Sequence, residues 1–303
     1  MRHPLFGITV LSFGALALAS GCSLKTIALT KVADAMTGSG NVYARDDDPE
    51  LVRDAVPVIL KTMEQLHDAL PKHRALAAGL TRTATAYGAV FLTEDADRMQ
   101  ERDVAKARPM YLRARRMFLR ARGYGLDGLD EAAPGLRAAL EKGTPDARKQ
   151  LLAKVKKEDV GLLYWTGAAW GSAISVSKND MKLVGQLPQV EELMKRALEL
   201  DESFEEGSIH EFFVLDEAGK DLESAKKHFA RARVLSGNKK LGLLVSYAET
   251  LCVQTQDRKT FDKLLKEVTD FDVDSDLDHR LVNTLAQRRA HWLSERASDL
   301  FAE

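Results

Sequence analysis

Cysteine is nearly absent: Cys22 and Cys252 are the two in 303 residues. That scarcity excludes a disulfide-stapled scaffold and a cysteine-rich zinc module. An excess of one charge is missing too, with 44 Lys and Arg against 45 Asp and Glu. Nucleic-acid binders carry a basic excess, so the net charge of -1 argues against that class. Alternating runs of Val, Ile and Thr are scarce, which speaks against an all-β chain. There is no glycine-rich phosphate loop, no Gly-x-Ser-x-Gly elbow and no His-Glu-x-x-His helix. Nothing assembles a nucleophile with a base and an orienter, so the chain does not read as an enzyme, and no cofactor or metal is expected. What is present is 45% hydrophobic and 29% charged, enough apolar material for a large core and too much for a disordered chain.

The N-terminus reads as an address. Met1-Arg2-His3 precede a mostly apolar stretch from Leu5 to Ala19, then Ser20-Gly21-Cys22. A positive start, a short apolar region and small residues describe a secretory signal over residues 1–21, too short to span a bilayer. Leu18-Ala19-Ser20-Gly21-Cys22 resembles a bacterial lipobox, with Ala19 where leucine is preferred. That resemblance makes Cys22 the expected lipidation site. Ser23 follows it rather than the aspartate of inner-membrane retention, which implies a periplasmic protein on the inner leaflet of the outer membrane. A plain secretory signal with an incidental cysteine is the alternative. Residues 22–48, with Thr37-Gly38-Ser39-Gly40-Asn41, read as a tether carrying a short helix at 23–36.

From Pro49 the apolar spacing is helical, and Asp48-Pro49 is a helix start. The pattern predicts helices from 49–70 to 278–301, including 73–93, 103–123 and 126–141. Pro57 and Pro109 mark kinks or earlier breaks. Ala197, Ala232 and Val268 recur at offsets of 35 and 36, each followed three residues later by Leu200, Leu235 or Phe271. A small residue then an apolar one, at a period of about 34, matches a tetratricopeptide-type helix pair. The expected architecture for 49–303 is therefore all-α, a tetratricopeptide-like stack of helical hairpins.

Candidate sites each have a plain alternative. Trp165, Ala168, Ala169 and Ser172 share one helical face, with Tyr164 and Trp170 turned elsewhere. Small residues beside large aromatics either line a ligand cavity or mark tight packing. Tyr164, Trp165, Trp170, His210 and Phe213 are the expected ligand-cavity residues, Trp165 first among them. Asp270, Asp272, Asp274, Asp276 and Asp278 mimic the start of a calcium loop. Leu277 and Asn283 stand where glycine and glutamate are required, so a turn capping the last helix is the better reading. Cys252, between Leu251 and Val253, reads as a buried free thiol.

Several stretches, in order, resemble the T component of TRAP transporters, the lipoprotein partner of tripartite ATP-independent periplasmic systems. They are Met117–Gly125, Trp165–Gly171, Ala225–Ala232, Asp257–Leu265 and Leu281–Ala290. The resemblance covers about Pro49 to Phe301 and implies an all-helical tetratricopeptide-like fold without enzymatic activity. It implies docking to a periplasmic solute-binding protein, an apolar cavity for a ligand, and a trimeric homo-oligomer. A structural scaffold lipoprotein for outer-membrane or pilus assembly is the competing function.

Overall fold

The computed structural model describes residues 16–38 and 42–302, with side chains from residue 26 onward. The expected signal peptide 1–21 lies largely outside these, as does the side chain of Cys22 on which the lipidation reading rests. The described residues are helical and contain no strand: α1 (Leu16–Thr37), α2 (Pro49–Ala69), α3 (Arg74–Tyr87), α4 (Glu94–Arg102), α5 (Val104–Ala132), α6 (Leu136–Lys142), α7 (Pro145–Leu152), α8 (Val160–Ser175), α9 (Met181–Val184), α10 (Leu187–Leu200), α11 (Ser208–Glu217), α12 (Leu222–Leu235), α13 (Leu241–Tyr247), α14 (Arg258–Asp270), α15 (Arg280–Glu295) and α16 (Ala297–Leu300). No helix among the described residues is long and apolar enough to cross a membrane.

Local chemistry starts these helices. The Asp48 carboxylate accepts the amides of Glu50 at 3.0 Å and Leu51 at 3.1 Å, and Pro49 occupies the first helical position. Asp103, Asp180, Asp221 and Asp257 cap α5, α9, α12 and α14 in the same way. Each such cap contributes about 1 kcal/mol. Pro57 and Pro109 lie inside α2 and α5, and both helices continue through them.

The predicted break between 103–123 and 126–141 is absent: α5 runs on to Ala132 and the chain turns at Ala133-Pro134-Gly135, where Gly135 adopts φ 91°. The stretch between the predicted helices 73–93 and 103–123 is helical as well, as α4. Gly125 and Gly128, inside α5, serve close packing. A Cβ on Gly125 would lie 2.1 Å from Thr166 Oγ1, and one on Gly128 would lie 2.6 Å from Leu162. Their absence lets α8 press against α5, while α3 covers the same seam through Ala77 and Thr81.

Among the described residues, apolar burial gathers in three clusters. One core spans α2, α3, α5, α8 and α10, around the fully buried Leu80, Phe118, Leu129, Leu163 and Leu193. A second lies among α13, α14, α15 and α16 around Phe261 and Leu293. A smaller one joins α11, α12 and α13 through Val214 and Ala232. Ala197, Ala232 and Val268, the recurring small positions, are each completely buried. In α1, Ala33 is fully buried and Asp34 meets His73 at 3.1 Å, so the C-terminal half of this helix packs on α2 and α3.

Candidate functional site

The helical rod is interrupted twice by wider, π-helical turns, at Gly88–Thr93 and at Ala248–Cys252. Such turns are rare and concentrate at functional sites. These two border one cleft. It has a volume of about 830 Å³, with α2, the first π-turn and α4 on one side and α13, the second π-turn and α15 on the other. Val90, Phe91, Val245, Val282, Leu285 and Ala286 supply its apolar lining. Gly88 lets the first turn pack closely on α5, because a Cβ there would lie 2.7 Å from the Phe118 ring.

Charged residues close the rim in pairs. Arg288 reaches Glu50 at 2.8 Å, and Arg53 pairs with Asp95. Arg289 is the hub: its guanidinium bonds Glu94 at 2.8 Å, Asp97 at 3.1 Å and both carboxylate oxygens of Glu249. Burial works against the Arg289 charge, but the three carboxylates outweigh it and hold the guanidinium above its ordinary range. Tyr111 donates its hydroxyl to Asp97 at 2.6 Å; burial and that carboxylate push the phenol up. Below the hub, Trp292 is 9% exposed and donates to Glu101 at 3.0 Å. The guanidiniums of Arg289, Arg296 and Arg98 lie 4.1, 4.5 and 5.5 Å from its ring centre. Cation–π contact and ion pairing thus act together to fix α15 against α4.

The residues expected to line a cavity lie elsewhere, on α8 and α11, and none borders this cleft. Trp165 is half-buried, and its indole N–H donates to Glu205 Oε1 at 3.1 Å. Tyr164 and Trp165 were expected to face apart, yet their rings meet edge-on at 5.0 Å, and Phe204 approaches Tyr164 at 5.5 Å. Burial and the nearby Glu211 and Glu205 carboxylates raise the Tyr164 phenol well above its usual range. Trp170 is 1% exposed, donates to Gln186 at 3.0 Å and is covered by Arg122 at 4.7 Å. Ala169, on the Trp165 face, is completely buried, while Ala168 and Ser172 are partly exposed.

Glu205, the Trp165 partner, sits in a strained turn. Glu205, Glu206 and Gly207 have φ of 41°, 56° and 89°, three consecutive left-handed residues of which two carry side chains. Lys240 holds the turn, donating to the Glu205 carbonyl at 3.1 Å and to Ser208 Oγ at 2.6 Å. Burial pushes the Glu205 carboxyl up despite Arg82, Trp165 and Lys240 nearby.

His210 and Phe213 belong to a third cluster. His210 Nδ1 lies 2.8 Å from His228 Nδ1, and Phe213 stacks on His228 with ring centres 5.0 Å apart. Cys252 is a free, buried thiol in the second π-turn, and burial pushes it up to about 11. The alternating aspartates form no metal cluster among the described residues. Nor do they cap α15 as expected: Asp272 caps the short turn at Val273–Ser275, and Arg280 and Lys239 pair with Asp274 and Asp276.

The profile of the TRAP transporter T-component family matches residues 45–301. The chain belongs to that family, a family of transport accessory proteins. It is also 27% identical over 330 aligned positions to an uncharacterised protein of Treponema pallidum (strain Nichols), with all of both chains covered.

Proposed function

We propose that this protein is a periplasmic accessory of a TRAP-type uptake system. In this reading it is held by a lipid on Cys22 to the inner leaflet of the outer membrane. It docks the solute-binding subunit, and it passes or holds a ligand of apolar or amphipathic character. Its helices act as a tetratricopeptide-like stack, assembled as a homo-oligomer, with no catalytic step. The observation that carries the reading is the family match across nearly the whole mature chain.

The ligand space we assign to the cleft between the two π-turns rather than to the Trp165 face. An apolar lining beneath a rim of paired charges suits a molecule with an apolar body and a polar head. The test uses the lipid-free chain beginning after Cys22, mixed with the solute-binding protein encoded beside it. Co-migration is expected. No complex at tens of micromolar, about -6 to -7 kcal/mol, would overturn docking and favour a scaffold lipoprotein.

A further inference from the structure

A second groove, of about 690 Å³, runs between the first half of α5 and the turn joining α8 to α9, and shares no lining residue with the cleft. Three large apolar side chains on its walls face solvent: Val104 is 70% exposed, Leu112 44% and Met181 73%. Arg108 lines the groove, exposed and with no ion-pair or hydrogen-bond partner among the described residues. Lys178 and Lys182 are in the same condition and immediately neighbour the lining residues Ser177, Asn179 and Met181. The one carboxylate in the lining, Asp180, is already engaged by Arg115 and by the Leu183 amide at 3.1 Å. Residues 104–126 carry 7 cations and no acid, in a chain whose net charge is -1. Of these, Lys106, Arg115 and Arg120 are ion-paired with Asp103, Asp180 and Glu64, so the uncompensated charge beside this exposed apolar surface is that of Arg108, Lys178 and Lys182.

We propose that this groove is the docking site for the solute-binding subunit, which enters it with an apolar protrusion set in an acidic surface. The proposal rests on the docking reading above and adds the face and the chemistry of the contact. An apolar centre with a charged rim is the anatomy of a protein interface, and the rim charges steer the encounter. The concavity fits a protruding side-chain cluster better than a flat lipid surface. A symmetric contact between two copies would set Arg108 and the two lysines against their own counterparts.

The experiment compares lipid-free wild type with the Arg108→Glu/Lys182→Glu variant, titrated calorimetrically against the neighbouring solute-binding protein at low and high salt. These side chains make no ion pair or hydrogen bond among the described residues, so the melting temperature should stay near the wild-type value. Affinity should fall at least about tenfold, and the salt dependence of binding should flatten. Met181→Glu, which places a like charge at the apolar centre, should weaken binding similarly and guards against a folding defect in the double variant. Arg113→Glu is the control: the side chain is exposed and unpaired but lies about 160° around α5 from Tyr111. It should have little effect.

Undiminished affinity of both groove variants overturns the assignment while leaving the docking reading intact. An equal loss in Arg113→Glu overturns it in favour of a general charge effect. If the double variant loses binding to vesicles containing anionic lipid but keeps the subunit, the face belongs to the membrane. If it changes oligomeric state and keeps the subunit, the face belongs to a second copy. If wild type does not bind the subunit at all, the docking reading falls and takes this proposal with it.

Discussion

Replacing Arg289 with methionine keeps most of the side chain's apolar stem and removes the charge that ties α15 to α4 and to Glu249. The magnitude follows from the geometry. A unit-charge pair near 3 Å is worth about 5–6 kcal/mol at an effective dielectric of about 20, before desolvation is subtracted. Removing one partner of a buried pair costs about 3–5 kcal/mol, because the other charge stays behind without compensation. The guanidinium here is 16% exposed, but its partners Glu94, Asp97 and Glu249 are 25%, 25% and 34% exposed, so water relieves part of the penalty. We expect a loss of about 2–3 kcal/mol.

The loss should depend on pH in a defined sense. Without Arg289, Glu94 keeps Arg98, but Asp97 and Glu249 lose their cation and the three carboxylates repel one another in the native state, a repulsion that protonation relieves. A native state that binds more protons gains stability as pH falls. The gap between wild type and variant should therefore be widest near pH 7.5 and narrow toward about pH 5. Urea unfolding at both pH values measures it. A gap below about 0.5 kcal/mol, or one independent of pH, would refute the view that charge holds this seam.

Two further outcomes are expected. Gly125→Ala gains about 1 kcal/mol of helix propensity but drives a Cβ into Thr166, which is completely buried, so a net loss of about 1–2 kcal/mol is expected by thermal melting; coupling to Thr166→Ala in a double-mutant cycle identifies the clash. For His210 and His228, burial lowers the affinity of both rings for protons, in His228 with the help of His210 and in His210 against Glu202. Their depressed folded values make stability fall as pH drops through about 6.5, the unfolded value, and His228→Gln should reduce that acid sensitivity in melts across the range.

The helix start at Asp48 and Pro49 was legible because its cause is local: both act within one turn of themselves. The break predicted at 123–125 fails for the opposite reason: Gly125 lies against Thr166 of α8, a contact about 40 residues further along that no local pattern shows. The aromatic cluster on α8 was visible, but its surroundings were not. Trp170 is sealed by Gln186 and Arg122, and Trp165 is tied to a turn whose left-handed glutamates no propensity would suggest. The cleft left the faintest trace. Glu94-Asp95-Ala96-Asp97 and Arg288-Arg289 are an acidic and a basic cluster, and nothing in either says that they meet across 195 residues. The π-turns are equally silent, since each depends on packing on both sides.

The clasp between residues 45–50 and 278–288 changes how the molecule comes apart. Arg45 bonds Asp278 at 2.8 Å, Asp47 meets Arg280 at 3.3 Å, and Glu50 meets Arg288 at 2.8 Å. Linear helical arrays fray one unit at a time from a free terminus. Here α15 is also the partner of residues 47–50, so freeing either stretch breaks contacts of the other. Opening becomes a single event that empties the cleft. Any molecule bound there resists it from both walls, and its free energy of binding is added to the closure of the whole chain rather than to the ordering of one helix.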